Sequence, residues 1–310
     1  MKTPFRVAFS LLACLALASP SRAGKLYVAM SDNSIVTYDV SGSNAATIEA
    51  SRQVWLPATA GLSDPRGITF DGQGNLFVSN GADNTIKKVT PAGVVSTAYS
   101  TNISNPAGLA FGPTGSLYVA NAGNGGSITQ FSPGGGISSI YTGFESGGGV
   151  AVDSAGNVYS GGSNWNNNWR VYKNGQEWVA TEWNRGMSMG PADNLFVATL
   201  GNDVYKITPA GSRSTFATQW PGRTAVFADS LGRVYHNIGA WNQYSESIVR
   251  YRPDGSIDVQ WYMPAGAQTR SFTSFASTPV PEIDPAGMGS VVALFGGALG
   301  LLERRRSKNT

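Results

Sequence analysis

One short pattern returns six times along this 310-residue chain and limits its fold more than any other feature. The copies are GKLYVAM from Gly24, GNLFVSN from Gly74, GSLYVAN from Gly115, GNVYSGG from Gly156, DNLFVAT from Asp193 and GRVYHNI from Gly232. They begin 50, 41, 41, 37 and 39 residues apart, so one supersecondary unit of roughly 40 residues is used repeatedly. Each copy follows a turn such as Asp71-Gly72-Gln73-Gly74 and reads as a short apolar strand. A second strand follows each of the last five copies: Thr85–Val89, Ser127–Phe131, Trp169–Tyr172, Asp203–Ile207 and Ser247–Tyr251. Glycine turns such as Thr90-Pro91-Ala92-Gly93 and Arg252-Pro253-Asp254-Gly255 then supply the backbone angles of a hairpin, and a further strand comes after each.

A fourth strand precedes each copy but the first: Arg66–Phe70, Ala107–Phe111, Gly148–Val152, Arg185–Met189 and Arg223–Phe227. Four short strands in about 40 residues is the spacing of a β-propeller blade. The copy at Gly24 lacks a preceding strand, and Arg270-Ser271-Phe272-Thr273-Ser274-Phe275 supplies one at the other end of the chain. The expected fold is therefore all-β: a six-bladed propeller of four-stranded blades, with the C-terminal strand innermost in the first blade. Closure leaves few free sheet edges. No stretch between the two chain ends shows helical periodicity. Two copies with their lead-in strands, Pro65–Phe70 with Gly74–Asn80 and Pro106–Phe111 with Gly115–Asn121, resemble NHL repeats, and the other four are degenerate. That resemblance implies the same six-bladed propeller over residues 24–276 and leaves function open, since the fold hosts enzymes and binding proteins alike.

Both ends read as targeting segments. Lys2 and Arg6 precede an apolar run from Val7 to Ala18, and Ser21-Arg22-Ala23 places small residues where a signal peptidase cuts, so residues 1–23 are expected to be removed. Leu11-Leu12-Ala13-Cys14 resembles a lipobox, but the apolar run continues past Cys14, which argues against lipidation there. Cys14 is the only cysteine, so the processed chain relies on its core without disulfides. At the other end, a stiff segment with Pro281-Glu282 leads into the 17 apolar or small residues Ala286–Leu302 and then Arg304-Arg305-Arg306. At ~1.5 Å rise per residue such a helix spans about 25 Å, close to a hydrocarbon core. This order of parts resembles the PEP-CTERM sorting signal. It implies transient membrane anchoring over residues 279–310, processing by an exosortase, and a cell-surface or extracellular destination in a Gram-negative bacterium that makes extracellular polysaccharide. The motif here is Val280-Pro281-Glu282-Ile283-Asp284-Pro285, a variant of the commoner Val-Pro-Glu-Pro.

The targeting ends also carry the charge. The whole chain holds 22 basic and 19 acidic residues, whereas residues 24–278 hold 15 and 16. The expected propeller is thus near neutral, and its charge offers no argument for nucleic acid as a partner.

In a propeller, the loops leading into the innermost strands and the loops after the second strands share one face, around the mouth of the ring. Arg66, Arg185, Arg223 and Arg270 open four of the six inner strands, where the other two have Ala107 and Gly148. Arginine forks suit carboxylates, sulfates and phosphates. The competing expectation is that they pair with Asp64, Glu145 or Glu182 nearby. Trp165, Trp183, Trp220 and Trp241 fall on the same face among asparagines, as does Trp169, and aromatic planes rimmed by amides suit sugar rings. Trp169 has packing between blades as its alternative, the role expected of Trp178 and Trp261.

These residues suggest binding of an acidic polysaccharide, with no cofactor. Two alternatives stand beside it. One is a scaffold that binds proteins. The other follows from a resemblance to six-bladed lactonases of the gluconolactonase class, which implies a divalent cation such as Ca²⁺ held near Asn80 and Asn121. Against the enzyme, Arg270 stands where those lactonases have a glutamate, and His236 is the only histidine.

Overall fold

The structure is a computed structural model and describes residues 24–123, 125–142, 148–163, 168–200, 203–218, 225–239, 246–264 and 267–274, without the side chains of Arg185, Phe272 and Ser274. The expected signal segment and sorting segment lie outside the described residues.

The strands form six antiparallel sheets of four. Blade 2 runs Pro65–Phe70, Leu76–Asn80, Thr85–Val89, Val95–Tyr99, from the ring axis outward. Blade 3 runs Pro106–Phe111, Leu117–Asn121, Ser127–Phe131, Ile137–Thr142. Blade 4 is Val150–Val152, Val158–Ser163, Trp169–Lys173, Gln176–Ala180. Blade 5 is Asn184–Met189, Leu195–Thr199, Asp203–Ile207, Arg213–Thr218, and blade 6 is Val226–Ala228, Val234–Ile238, Ser247–Tyr251, Ile257–Tyr262. In blade 1 the inner strand is Thr269–Ser274, followed outward by Lys25–Met30, Ile35–Asp39 and Gln53–Leu56. The closing strand pairs Phe272 with Val28 and Thr273 with Tyr27, so the two ends of the described chain share one sheet as the repeat count requires.

The repeated pattern explains the second strands. Leu76, Phe77 and Val78, like Leu195, Phe196 and Val197, are buried on both faces because a strand inside a blade packs against the blades before and after it. The core is accordingly divided between neighbouring blades. Tyr27, Ile35, Leu76 and Val78 fill the space between blades 1 and 2, Ile86, Leu109, Val119 and Phe131 that between blades 2 and 3, and Tyr38, Ile48, Tyr235 and Trp261 that between blades 6 and 1.

One expectation is corrected. A helix, Ala45–Ala50, lies between the third and outer strands of blade 1, where no helical periodicity was expected. It is too short to show a period, and its start is set by Asn44, whose Oδ1 accepts the Thr47 N–H at 3.0 Å. Ile48 is its one buried residue. Two inner strands are also shorter than expected, beginning at Val150 and Val226.

Candidate functional site: the mouth of the ring

Antiparallel order brings the start of each inner strand, the end of each second strand and the start of each third strand to one face. Pairing of Asn80 with Pro65 and with Thr85 shows this in blade 2. Asparagines organise the loops there. Asn80 Oδ1 accepts the Ser63 N–H at 2.6 Å and Asn121 Oδ1 accepts the Ser104 N–H at 3.1 Å, each tying its second strand to the loop before its own inner strand. Asn33 Oδ1 accepts the Asp64 N–H at 2.8 Å and Asn84 Oδ1 accepts the Asn105 N–H at 2.6 Å, each tying one blade to the next. These bonds hold Asp64 (φ 54°) and Asn105 (φ 50°) in the left-handed region just before Pro65 and Pro106.

That placement decides the arginines. Asp64 Oδ2 accepts from Nε and from the NH2 nitrogen of Arg66, both at 2.7 Å, in a forked pair. The remaining guanidinium nitrogen of Arg66 donates to Asn105 Oδ1 of the next blade. Asp64 Oδ1 lies 3.6 Å from the guanidinium of Arg270, on the inner strand of blade 1. One carboxylate is therefore shared by two arginines, and the cluster keeps a net positive charge. It remains accessible, with Arg66, Arg270 and Asp64 side chains 33%, 38% and 28% exposed. The expectation that Arg66 pairs with Asp64 is met, and the pairing leaves one guanidinium in excess.

Across the ring, between blades 4 and 5, Trp169 and Trp183 stack with centroids 5.2 Å apart and planes 17° from parallel. Trp183 is 44% exposed, so the pair presents an open aromatic surface. The Thr181 N–H donates to the Trp169 carbonyl at 3.0 Å and the Leu200 N–H to that of Trp183 at 2.8 Å, which anchors both backbones. Beside them Glu182 accepts from the Tyr205 hydroxyl at 3.2 Å. Burial and the neighbouring Glu182 and Asp203 carboxylates push that hydroxyl up to about 12. Trp169 thus packs between blades 4 and 5 beside the mouth, while Trp261 is fully buried and Trp178 packs against Tyr159, the roles expected of them.

Arg223, Trp165, Trp220 and Trp241 lie outside the described residues, as do Pro281, Glu282 and Arg304 to Arg306. Arg185 is placed only by its backbone, in the inner strand of blade 5.

The site does not suit a cation at Asn80 and Asn121. Both side chains are buried, and each carbonyl oxygen is committed to a backbone N–H. Asn121 Nδ2 also donates to Thr129 at 2.9 Å and Ser127 at 3.1 Å. Among the described residues no three His, Cys, Asp or Glu side chains gather where an ion would fit. His236 is buried in the second strand of blade 6. Below the mouth the inner strands are crowded: a Cβ on Gly67 would lie 2.2 Å from the Ala107 carbonyl oxygen, and one on Gly108 would lie 2.9 Å from that of Gly148. At blades 2 to 4, then, a ligand has the loops to meet rather than the space between strands.

The chain is a six-bladed β-propeller. Solved structures with this fold include a gluconolactonase from Xanthomonas campestris, 13% identical with a TM-score of 0.56, covering 76% of this chain and 82% of that one. The calcium-binding protein regucalcin from Agrobacterium tumefaciens is 14% identical at a TM-score of 0.52, covering 71% and 85%. A streptogramin B lyase is 16% identical at a TM-score of 0.54, covering 76% and 79%. At such identities the likeness is one of fold. No protein-family profile matches the chain, and no curated protein matches it in sequence.

Proposed function

We propose that this protein is an exported propeller that binds an acidic polysaccharide at the mouth of its ring. The observation that carries the reading is the sharing of Asp64 between Arg66 and Arg270, which leaves excess positive charge on an otherwise near-neutral domain. The stacked Trp169–Trp183 pair on the opposite side adds an aromatic plane of the kind that sugar rings cover. The targeting segments fit this role. A signal peptide at residues 1–23 and a PEP-CTERM-like segment at 279–310 would take the chain through an exosortase to the cell surface or the surrounding matrix. Fold likeness to a gluconolactonase and a calcium-binding protein keeps a metal-dependent hydrolase as the alternative, and it rests on the fold alone, since Asn80 and Asn121 are buried and the oxygen of each already accepts a backbone N–H.

A glycan array run with and without EDTA tests the proposal. Retention of uronate- or sulfate-bearing polysaccharides that survives EDTA and weakens with salt is expected. Indifference to every anionic glycan would sink it.

A further inference from the structure

A second site lies away from the mouth, at the seam where the ring closes. Blade 1 and its helix face the outer strand of blade 6 there across a groove of about 270 Å³. Tyr38, Glu49 and Arg52 line it from blade 1, and Tyr262, Met263 and Pro264 from the end of blade 6. Its floor is the buried Tyr38, whose hydroxyl lies 3.1 Å from Met263 Sδ. One wall is the Tyr262 side chain, 61% exposed although it is large and aromatic.

Two charges in this groove are not matched to each other. Glu49 is fixed by the helix and by the Tyr262 N–H, which donates to Oε1 at 2.8 Å. Arg52 sits just past the end of the same helix, and among the described residues no ion pair joins it to Glu49. Its Nε is buried and has no hydrogen-bond partner among the described residues. A buried guanidinium N–H without an acceptor is costly, and a ligand oxygen would remove that cost. A plain anion would meet the Glu49 carboxylate, and a plain cation would meet Arg52. A ligand with both charges matches both side chains.

We infer that this groove binds a small zwitterion of the free α-amino-acid type. Its carboxylate would lie on Arg52, its ammonium at Glu49, and an apolar side chain against Tyr262 and Met263. Because the groove joins the first blade to the last, such a ligand bridges the closure of the ring and binds the folded state alone. Binding must then raise the unfolding temperature.

The test uses the purified full chain with three probes: L-leucine, N-acetyl-L-leucine, which lacks the ammonium, and L-leucinamide, which lacks the carboxylate. The expected result is saturable calorimetric binding of L-leucine with a rise in unfolding temperature, and at least tenfold weaker binding of both blocked forms. Arg52→Gln should lose L-leucine binding by at least tenfold. Glu49→Gln, which keeps an acceptor for the Tyr262 N–H and so preserves the local fold, should do the same. Equal binding of N-acetyl-L-leucine, wild-type binding by both variants, or no binding of L-leucine at millimolar concentration would each overturn the assignment.

Discussion

At the scale of single residues, the mouth loops are shaped by asparagine amides that do for loops what ladder hydrogen bonds do for strands. Asn121 satisfies the Ser104 N–H and donates to Thr129 and Ser127. Replacing it with alanine leaves buried polar groups without partners, and Asn121→Ala should lose about 2 kcal/mol in urea unfolding, with no dependence on added calcium. A variant as stable as the wild type would show that the clamp is dispensable. Asp153 gives a pH prediction. Its Oδ1 accepts the Ala155 and Asn157 N–H groups and its Oδ2 accepts from Asn157 Nδ2 and the Tyr159 hydroxyl. Burial alone would raise this carboxyl, but the bonds from Asn157 and Tyr159 outweigh it and hold it below 3.8. A carboxyl depressed in the folded state adds stability that is complete above its unfolded value and is lost as pH falls through the folded one. Stability should therefore fall below about pH 4, and Asp153→Asn, weaker at neutral pH, should lose less across that window. Equal acid slopes for the two proteins would contradict the assignment. The pairing of Arg66 with Asp64 was legible, since the two stand two residues apart beside a proline. The clamps were not: nothing in the letters separates Asn33 or Asn84 from any other loop asparagine, and their role follows only from the approach of the next blade.

At the scale of elements, glycine, proline and an apolar triplet were enough to place nearly every strand, because the blade reuses one set of turns. The strand that closes the ring was legible for the same reason, as the one component the first repeat lacked. The Ala45–Ala50 helix was not, because six residues carry no period and its stability comes from Asn44 and from Ile48 packing between blades. A regular feature invisible in sequence is a bulge in the pairing of third and outer strands in all six blades, for example between Ile86 and Lys87 and between Ile128 and Thr129. Bulges twist the outer edges away from the geometry that a further strand would need. Close packing of inner strands gives the prediction at this scale. In Gly67→Ala the new methyl meets a backbone carbonyl that cannot swing aside, so a loss of roughly 1–3 kcal/mol is expected. Gly72→Ala, with open space around it, serves as the control in the same urea titration. Similar losses in the two would mean that the axis is not close-packed.

At the scale of the whole molecule, the ring depends on its seam. Arg250 is buried in blade 6 and reaches across to blade 1, where the Val40 carbonyl accepts at 2.6 Å and the Gly42 carbonyl at 2.7 Å, while Asp258 holds its Nε at 2.7 Å. Removing one partner of such a pair leaves the other charge buried, so Arg250→Met should cost roughly 3–5 kcal/mol, and a second change, Asp258→Leu, should restore part of it. A seam closed this way suits a chain with no cysteine after Cys14. The closed ring in turn fixes the arginines of blades 1 and 2 opposite the tryptophans of blades 4 and 5, an arrangement that no local stretch of sequence encodes. The most direct test of the account is to titrate an anionic polysaccharide, such as alginate, into wild-type protein and into Arg66→Ala, Arg270→Ala and Trp183→Ala variants at several salt concentrations. Binding should weaken with salt, fall about tenfold in each arginine variant, and fall independently of salt in Trp183→Ala. Binding that is unchanged in all three variants, or absent from the wild type at low salt, would contradict it.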